Sequence, residues 1–174
     1  MLARLRVCLL LFVCLTACSR PAAVPTPSGL AGLRLGDPPG EGLAPVPVVL
    51  PSALAGALAY FTRPGQTEPF HGVALADPVY AFYRNRLFSV SADLVEPAAA
   101  SRLRRDLETG YGPPFCRETA AGSSCLWRLD AVDLVLSREA QGKARFMLRS
   151  NRLAAEVLRW RDQGVPLEPG GGGD

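Results

Sequence analysis

The 174-residue chain carries one histidine, His71, and one lysine, Lys143. A histidine-based metal centre gathers several ligands at short spacing, so a single imidazole all but excludes one. A Ser-His-acid triad would have to use His71, but the chain has no G-x-S-x-G elbow. Gly122-Ser123-Ser124 begins like one, and Leu126 stands where the second glycine belongs. Gly142-Lys143-Ala144 lacks both the upstream glycine and the Ser or Thr of a phosphate-binding loop. No cysteine pair has the C-x-x-C spacing of a redox site. Carboxylate pairs suited to glycoside chemistry are also missing: Asp130 and Asp133 are expected on opposite faces of a strand, and Asp106 and Glu108 diverge on a helix. All four read as solvated surface. These absences favour a non-enzyme with no cofactor and no metal.

What the chain does have begins at its N-terminus. Arg4 and Arg6 precede nine apolar residues, Val7 to Leu15, and small residues then lead to Cys18. That is the three-part layout of a secretory signal. The run is too short for a bilayer, which takes roughly 20 apolar residues. Leu15-Thr16-Ala17-Cys18 resembles the lipobox of bacterial lipoprotein precursors, in which the cysteine sulfur receives a diacylglyceryl group. The resemblance covers this segment alone and implies cleavage before Cys18, lipidation of Cys18 and a membrane partner reached through that anchor. Each buried methylene contributes about 0.8 kcal/mol, and the two or three acyl chains of such processing suffice for stable attachment. By the sorting rule of the same family, Ser19 after the cysteine favours the outer membrane, with the domain facing the periplasm.

Cleavage changes the charge and the cysteine count. Of 19 basic residues Arg4 and Arg6 leave with the signal, so 17 face 16 acidic side chains and the mature chain is near neutral. Nucleic acid, which demands a clustered positive surface, is not an expected partner. Eighteen of the basic residues are arginine, a bias that reads as genome composition rather than guanidinium chemistry. Cys8 and Cys14 fall in the signal and Cys18 is lipidated, leaving Cys116 and Cys125 as a pair. In an oxidising compartment they are expected to form a disulfide across a hairpin centred on Ala120-Ala121-Gly122-Ser123.

The expected organisation is a signal peptide at 1–17, a lipidated, proline-rich tether at 18–28, one domain at 29–163 and a disordered glycine-rich tail at 164–174. Three prolines between Ser19 and Ser28 favour an extended strap. Within the domain, Ala31 to Gly36 reads as a short strand and Ala57 to Arg63 as another. Pro64-Gly65 reads as a type II turn and Phe70 to Leu75 as the return strand. Asp77-Pro78 reads as the next turn, Val79 to Tyr83 as a strand, and Phe88 to Leu94 alternates apolar and polar residues. Pro97 opens a helix with Ala99, Leu103 and Leu107 on one face and Gly110 as its cap. Val132 to Leu136 and Ala144 to Leu148 alternate as a second hairpin. Ser150 caps a last helix through Leu153, Val157 and Trp160.

The fold class expected from this pattern is α+β: an antiparallel β-sheet built from two meander or hairpin units, each followed by an α-helix, with both helices packed on one face. The basic runs Arg102, Arg104, Arg105 and Arg149, Arg152, Arg159, Arg161 read as solvated helix faces, with contact to lipid headgroups or an acidic partner as the sharper alternative; Tyr111-Gly112-Pro113-Pro114-Phe115 reads as a turn packed on the core, with a recognition surface as its alternative. A lipid anchor, a tether and no catalytic motif suggest a non-catalytic binding or assembly module with an envelope protein as partner. The alternatives are a small inhibitor or ligand-binding protein, which needs a deep apolar pocket, and an envelope hydrolase, which needs carboxylates or His71 converging in a cleft.

Overall fold

The computed structural model describes residues 24–163 apart from 51–53 and 55. The signal, the lipobox with Cys18 and the glycine-rich tail lie outside the described residues. A small hairpin comes first, with β1 (Gly29–Leu30) paired to β2 (Leu33–Arg34). The main sheet follows: β3 (Ala44–Pro45), β4 (Leu58–Thr62), β5 (Thr67–Phe70), β6 (Val73–Tyr83) and β7 (Arg86–Leu94). A 3-10 turn at Pro97–Ala99 runs into α1 (Ala100–Tyr111). Then come β8 (Phe115–Thr119), β9 (Gly122–Arg128), β10 (Val132–Glu139), β11 (Ala144–Ser150) and α2 (Asn151–Gln163).

The expected α+β arrangement is not the one adopted. Among the described residues the chain is mostly antiparallel β, in a nine-stranded sheet of order β3-β4-β6-β7-β11-β10-β9-β8 with β5 also paired to β6. There are no two separate hairpin units: β7 pairs with β11, Val90 opposite Leu148, and fuses everything into one sheet. Nor do the helices share a face. Alternation in β6 sends Tyr80 and Phe82 to one side and Ala81 and Tyr83 to the other, and all four are buried. A strand apolar on both faces needs cover on both. Leu103 and Leu107 of α1 close the first face with Leu75, Trp127, Leu134 and Phe146. Leu153 of α2 closes the second with Ala81, Tyr83 and Phe88, and Val157 and Trp160 pack against that cluster.

Local differences have equally plain causes. Asp77-Pro78 is not a turn. It is a bulge inside β6, where the register against β7 shifts between Ala76 and Val79 and Asp77 takes a left-handed φ of 49°. A bulge accommodates the missing proline N–H without ending the strand. The strand expected from Phe70 to Leu75 is broken by a tight turn at His71 and Gly72, with φ of 47° and 68°. β4 and β5 then lie end to end along β6 rather than pairing with each other. Ala31 to Gly36 bends back at Ala31-Gly32 into the β1–β2 hairpin. Gly112, with φ of 85°, follows the last turn of α1 in place of Gly110.

Candidate functional site

The concavities of the described surface include open ones of about 190 Å³ between Arg117, Ser124, Ser137 and Arg138 and of about 400 Å³ between Gly29–Arg34 and Pro69-Phe70, and a more enclosed one of about 260 Å³ between Val73, Val95, Glu96, Ala99 and Arg102. Among the described residues no three or more His, Cys, Asp or Glu side chains converge as metal ligands would. His71 is exposed in its turn, its ring edge-on to Phe70 at 4.8 Å between centroids. The basic runs are largely occupied: Arg104 pairs with Glu108, Arg102 donates to Gly72 O, Arg149 pairs with Asp133 and Arg161 with Asp162.

Asp133 was expected on the solvated surface and is instead buried, its side chain 7% exposed between Arg149 and Arg128. It stands directly opposite both arginines in the sheet register. Cross-strand opposite charges stabilise such pairs. Asp130, in contrast, is exposed. Asp106 is half-buried on α1, and Glu108 is engaged by Arg104. Elsewhere, burial raises the Tyr80 phenol above its ordinary range, and its Oη donates to Ala31 O at 3.0 Å, tying the β1–β2 hairpin to the core. The hydrogen bond to Asp93 raises the Arg145 guanidinium.

The two edges of the sheet are built differently. On the β3 side, Val46 N donates to Tyr60 O at 2.8 Å. The alternation of an antiparallel ladder therefore points positions 45 and 47 outward, and both are proline. That edge presents no N–H there, so it is closed to further pairing. On the other side lies β8, and every one of its residues is exposed. Cys116 and Cys125 form the disulfide, directly opposite each other with Cα atoms 4.1 Å apart. So close an approach marks a non-hydrogen-bonded pair. The backbone groups of Phe115, Arg117 and Thr119 therefore face β9, while those of Cys116 and Glu118 face outward, unpaired.

Beside this edge, on the face that carries α2, the register aligns Phe115, Leu126, Val135 and Met147 across four strands. Phe115 is 75% exposed, the other three are half-buried, and none belongs to either core cluster. An apolar stripe thus leads inward from the open edge. Flanking it, Arg117, Ser124, Ser137 and Arg145 form a polar row. Gly122 fixes the tip of the hairpin, because a Cβ there would lie 2.0 Å from Arg138 O where β9 crosses to β10. Within the segment expected as a turn packed on the core, Tyr111 does pack against the core, whereas Phe115 opens an exposed edge strand that its own sequence does not announce. The Cys116–Cys125 spacing was the signal available, since it fixes which residues of β8 point outward.

No protein-family model, curated protein or solved structure matches this chain.

Proposed function

We propose that the protein is a lipid-anchored, non-catalytic module of the bacterial cell envelope that binds an extended segment of an envelope partner along β8. The lipobox around Cys18 supports the anchor, with the outer membrane as the favoured site and the domain in the periplasm. The observation that carries the binding reading is the contrast between edges, one blocked by Pro45 and Pro47 and the other open at Cys116 and Glu118. Strand addition draws its affinity from such free backbone groups and its specificity from pockets for alternate side chains. The apolar stripe that leads inward from this edge begins at Phe115 and continues through Leu126, Val135 and Met147. A second copy of this chain is a poor occupant. The antiparallel register that pairs all five residues of β8 sets Arg117 against Arg117 of the other copy, and like charges directly opposite destabilise a sheet.

Glu118→Pro tests this reading, because it deletes an outward N–H and leaves the ladder to β9 intact. Blue-native electrophoresis of gently solubilised membranes should show the wild-type protein in a complex and Glu118→Pro as a lone chain with an unchanged melting curve. A lone wild-type chain, or a Glu118→Pro variant that stays in the complex, refutes strand addition. Cys18→Ser tests the anchor separately: it should abolish acyl-label incorporation and release the protein from membranes.

A further inference from the structure

Residues 24–28, expected to be part of the tether, are largely exposed but touch the domain at several points. Val24 lies over Gly110, where an added Cβ would meet Val24 Cγ2 at 3.2 Å, and Tyr111 Oη donates to Pro25 O at 3.2 Å. The loop after α1 is fixed in turn, since Trp127 Nε1 donates to Gly112 O at 2.9 Å. The chain therefore leaves the domain at the C-terminal end of α1. From Val24 back to Cys18 is six residues, which span at most about 20 Å even fully extended. A domain anchored through Cys18 is held with this end close to the bilayer and has little freedom to turn away.

That end carries features suited to a lipid surface. Phe115 projects there with 75% of its surface exposed, three residues past the Gly112 contact. Its neighbour in the register is Leu126, two residues before Arg128. The start of α2 is bound to the β9–β10 turn, Asn151 Nδ2 donating to Leu129 O at 2.7 Å and Asn151 N to Ala131 O at 3.0 Å. This brings Arg152 to the same end. The side chains of Arg128 and Arg152 are 76% and 73% exposed, and their nearest carboxylates, on Asp133 and Glu156, lie at 3.9 and 4.0 Å. The exposed acid in that turn is Asp130. Aromatic and arginine side chains together suit the headgroup layer, where an apolar ring and a cation are both accommodated.

We propose that the domain rests on the bilayer through this end, with the Phe115 ring at the boundary between headgroups and acyl chains and the guanidinium groups of Arg128 and Arg152 over lipid phosphates. The proposal rests on the lipid-anchor reading and extends it, since the anchor then sets the orientation of the domain as well as its location. It also leaves β8 running away from the membrane, with Glu118 free for a partner.

A fluorescence reporter tests it. The full, lipidated protein is reconstituted into phosphatidylethanolamine–phosphatidylglycerol vesicles with a fraction of the acyl chains brominated. Phe115→Trp is compared with Ala120→Trp, at the far end of the same hairpin and about 16 Å along the strand. After subtraction of wild-type emission, the fluorescence added by Phe115→Trp should be blue-shifted and quenched at least twofold by bromine, and that added by Ala120→Trp should not. If the protein floats with the vesicles and the two reporters are quenched equally, the orientation is refuted and the anchor stands. A blue shift without bromine quenching also refutes it, because protein rather than lipid then covers position 115. If the wild-type protein fails to float, both readings fall.

Discussion

Removing the Cys116–Cys125 disulfide tests how the open edge is held in place. The bond closes a loop with a sequence separation of 9. For so short a loop the chain-entropy relation gives about 2.6 kcal/mol at 25 °C. β8 has little else to rely on. Its residues are all exposed, so it buries little apolar surface, and its ladder to β9 must offset about 1–2 kcal/mol of backbone entropy per residue. Each ladder hydrogen bond contributes only about 0.5–1.5 kcal/mol net. Without the disulfide, docking of β8 is close to balanced, and most of the 2.6 kcal/mol should appear as lost stability. For a chain of this size the melting temperature should fall by about 5–10 °C. The variant of choice is Cys116→Ser with Cys125→Ala, since Cys125 is 5% exposed and a buried hydroxyl would add its own cost. Reduced wild-type protein, which keeps both sulfurs, should show the same drop. Hydrogen exchange localises the effect: Ser124 and Leu126, whose backbone groups face β8, should exchange up to about 80-fold faster, which is 2.6 kcal/mol expressed as a rate ratio. An unchanged melting temperature in both the variant and the reduced protein would refute the reasoning, because it would mean that β8 is not docked on β9 in solution.

Two further substitutions probe the rest of the site. His71→Ala should leave the melting curve within about 0.5 kcal/mol of wild type and should not reproduce the deletion phenotype, as expected for an exposed turn residue; a normally folded variant with the full phenotype would make His71 functional. Gly122→Ala should lower stability by about 2–3 kcal/mol in a denaturant titration, because its Cβ meets the Arg138 carbonyl and φ is +138°, and a neutral result would refute the close approach of β9 to β10 at the hairpin tip.

Parts of this fold are legible in the sequence because they are local. Leu134 against Leu148 follows from strict alternation on either side of a short turn, and α1 from the spacing of Leu103 and Leu107. The pairing of Cys116 with Cys125 follows by elimination, since they are the two cysteines outside the N-terminal segment. The pairing of β7 with β11 does not follow, since Asp93 and Arg145 lie 52 positions apart and nothing in either strand names the other. Which face each helix covers is a consequence of that join, so it was equally hidden. Asp133 was misplaced for a different reason: a charged residue reads as surface by default, and only the register that brings Arg149 and Arg128 to its sides accounts for its burial. The open edge was missed because exposure of β8 depends on its being last in the sheet order, a property of topology rather than of its own five residues.

The β7–β11 join also dictates a schedule. A polypeptide made N-terminus first delivers the β6–β7 hairpin well before the strand that completes it. β7 must wait for α1 and three further strands before Ala92 can meet Phe146. At synthesis rates of about 5–20 residues per second, that wait lasts some seconds. Throughout it the centre of the future sheet is a bare hydrophobic border, as inviting to a neighbouring nascent chain as to its own β11. Folding of this chain therefore requires that the β6–β7 half stay apart from its neighbours until β11 has been made.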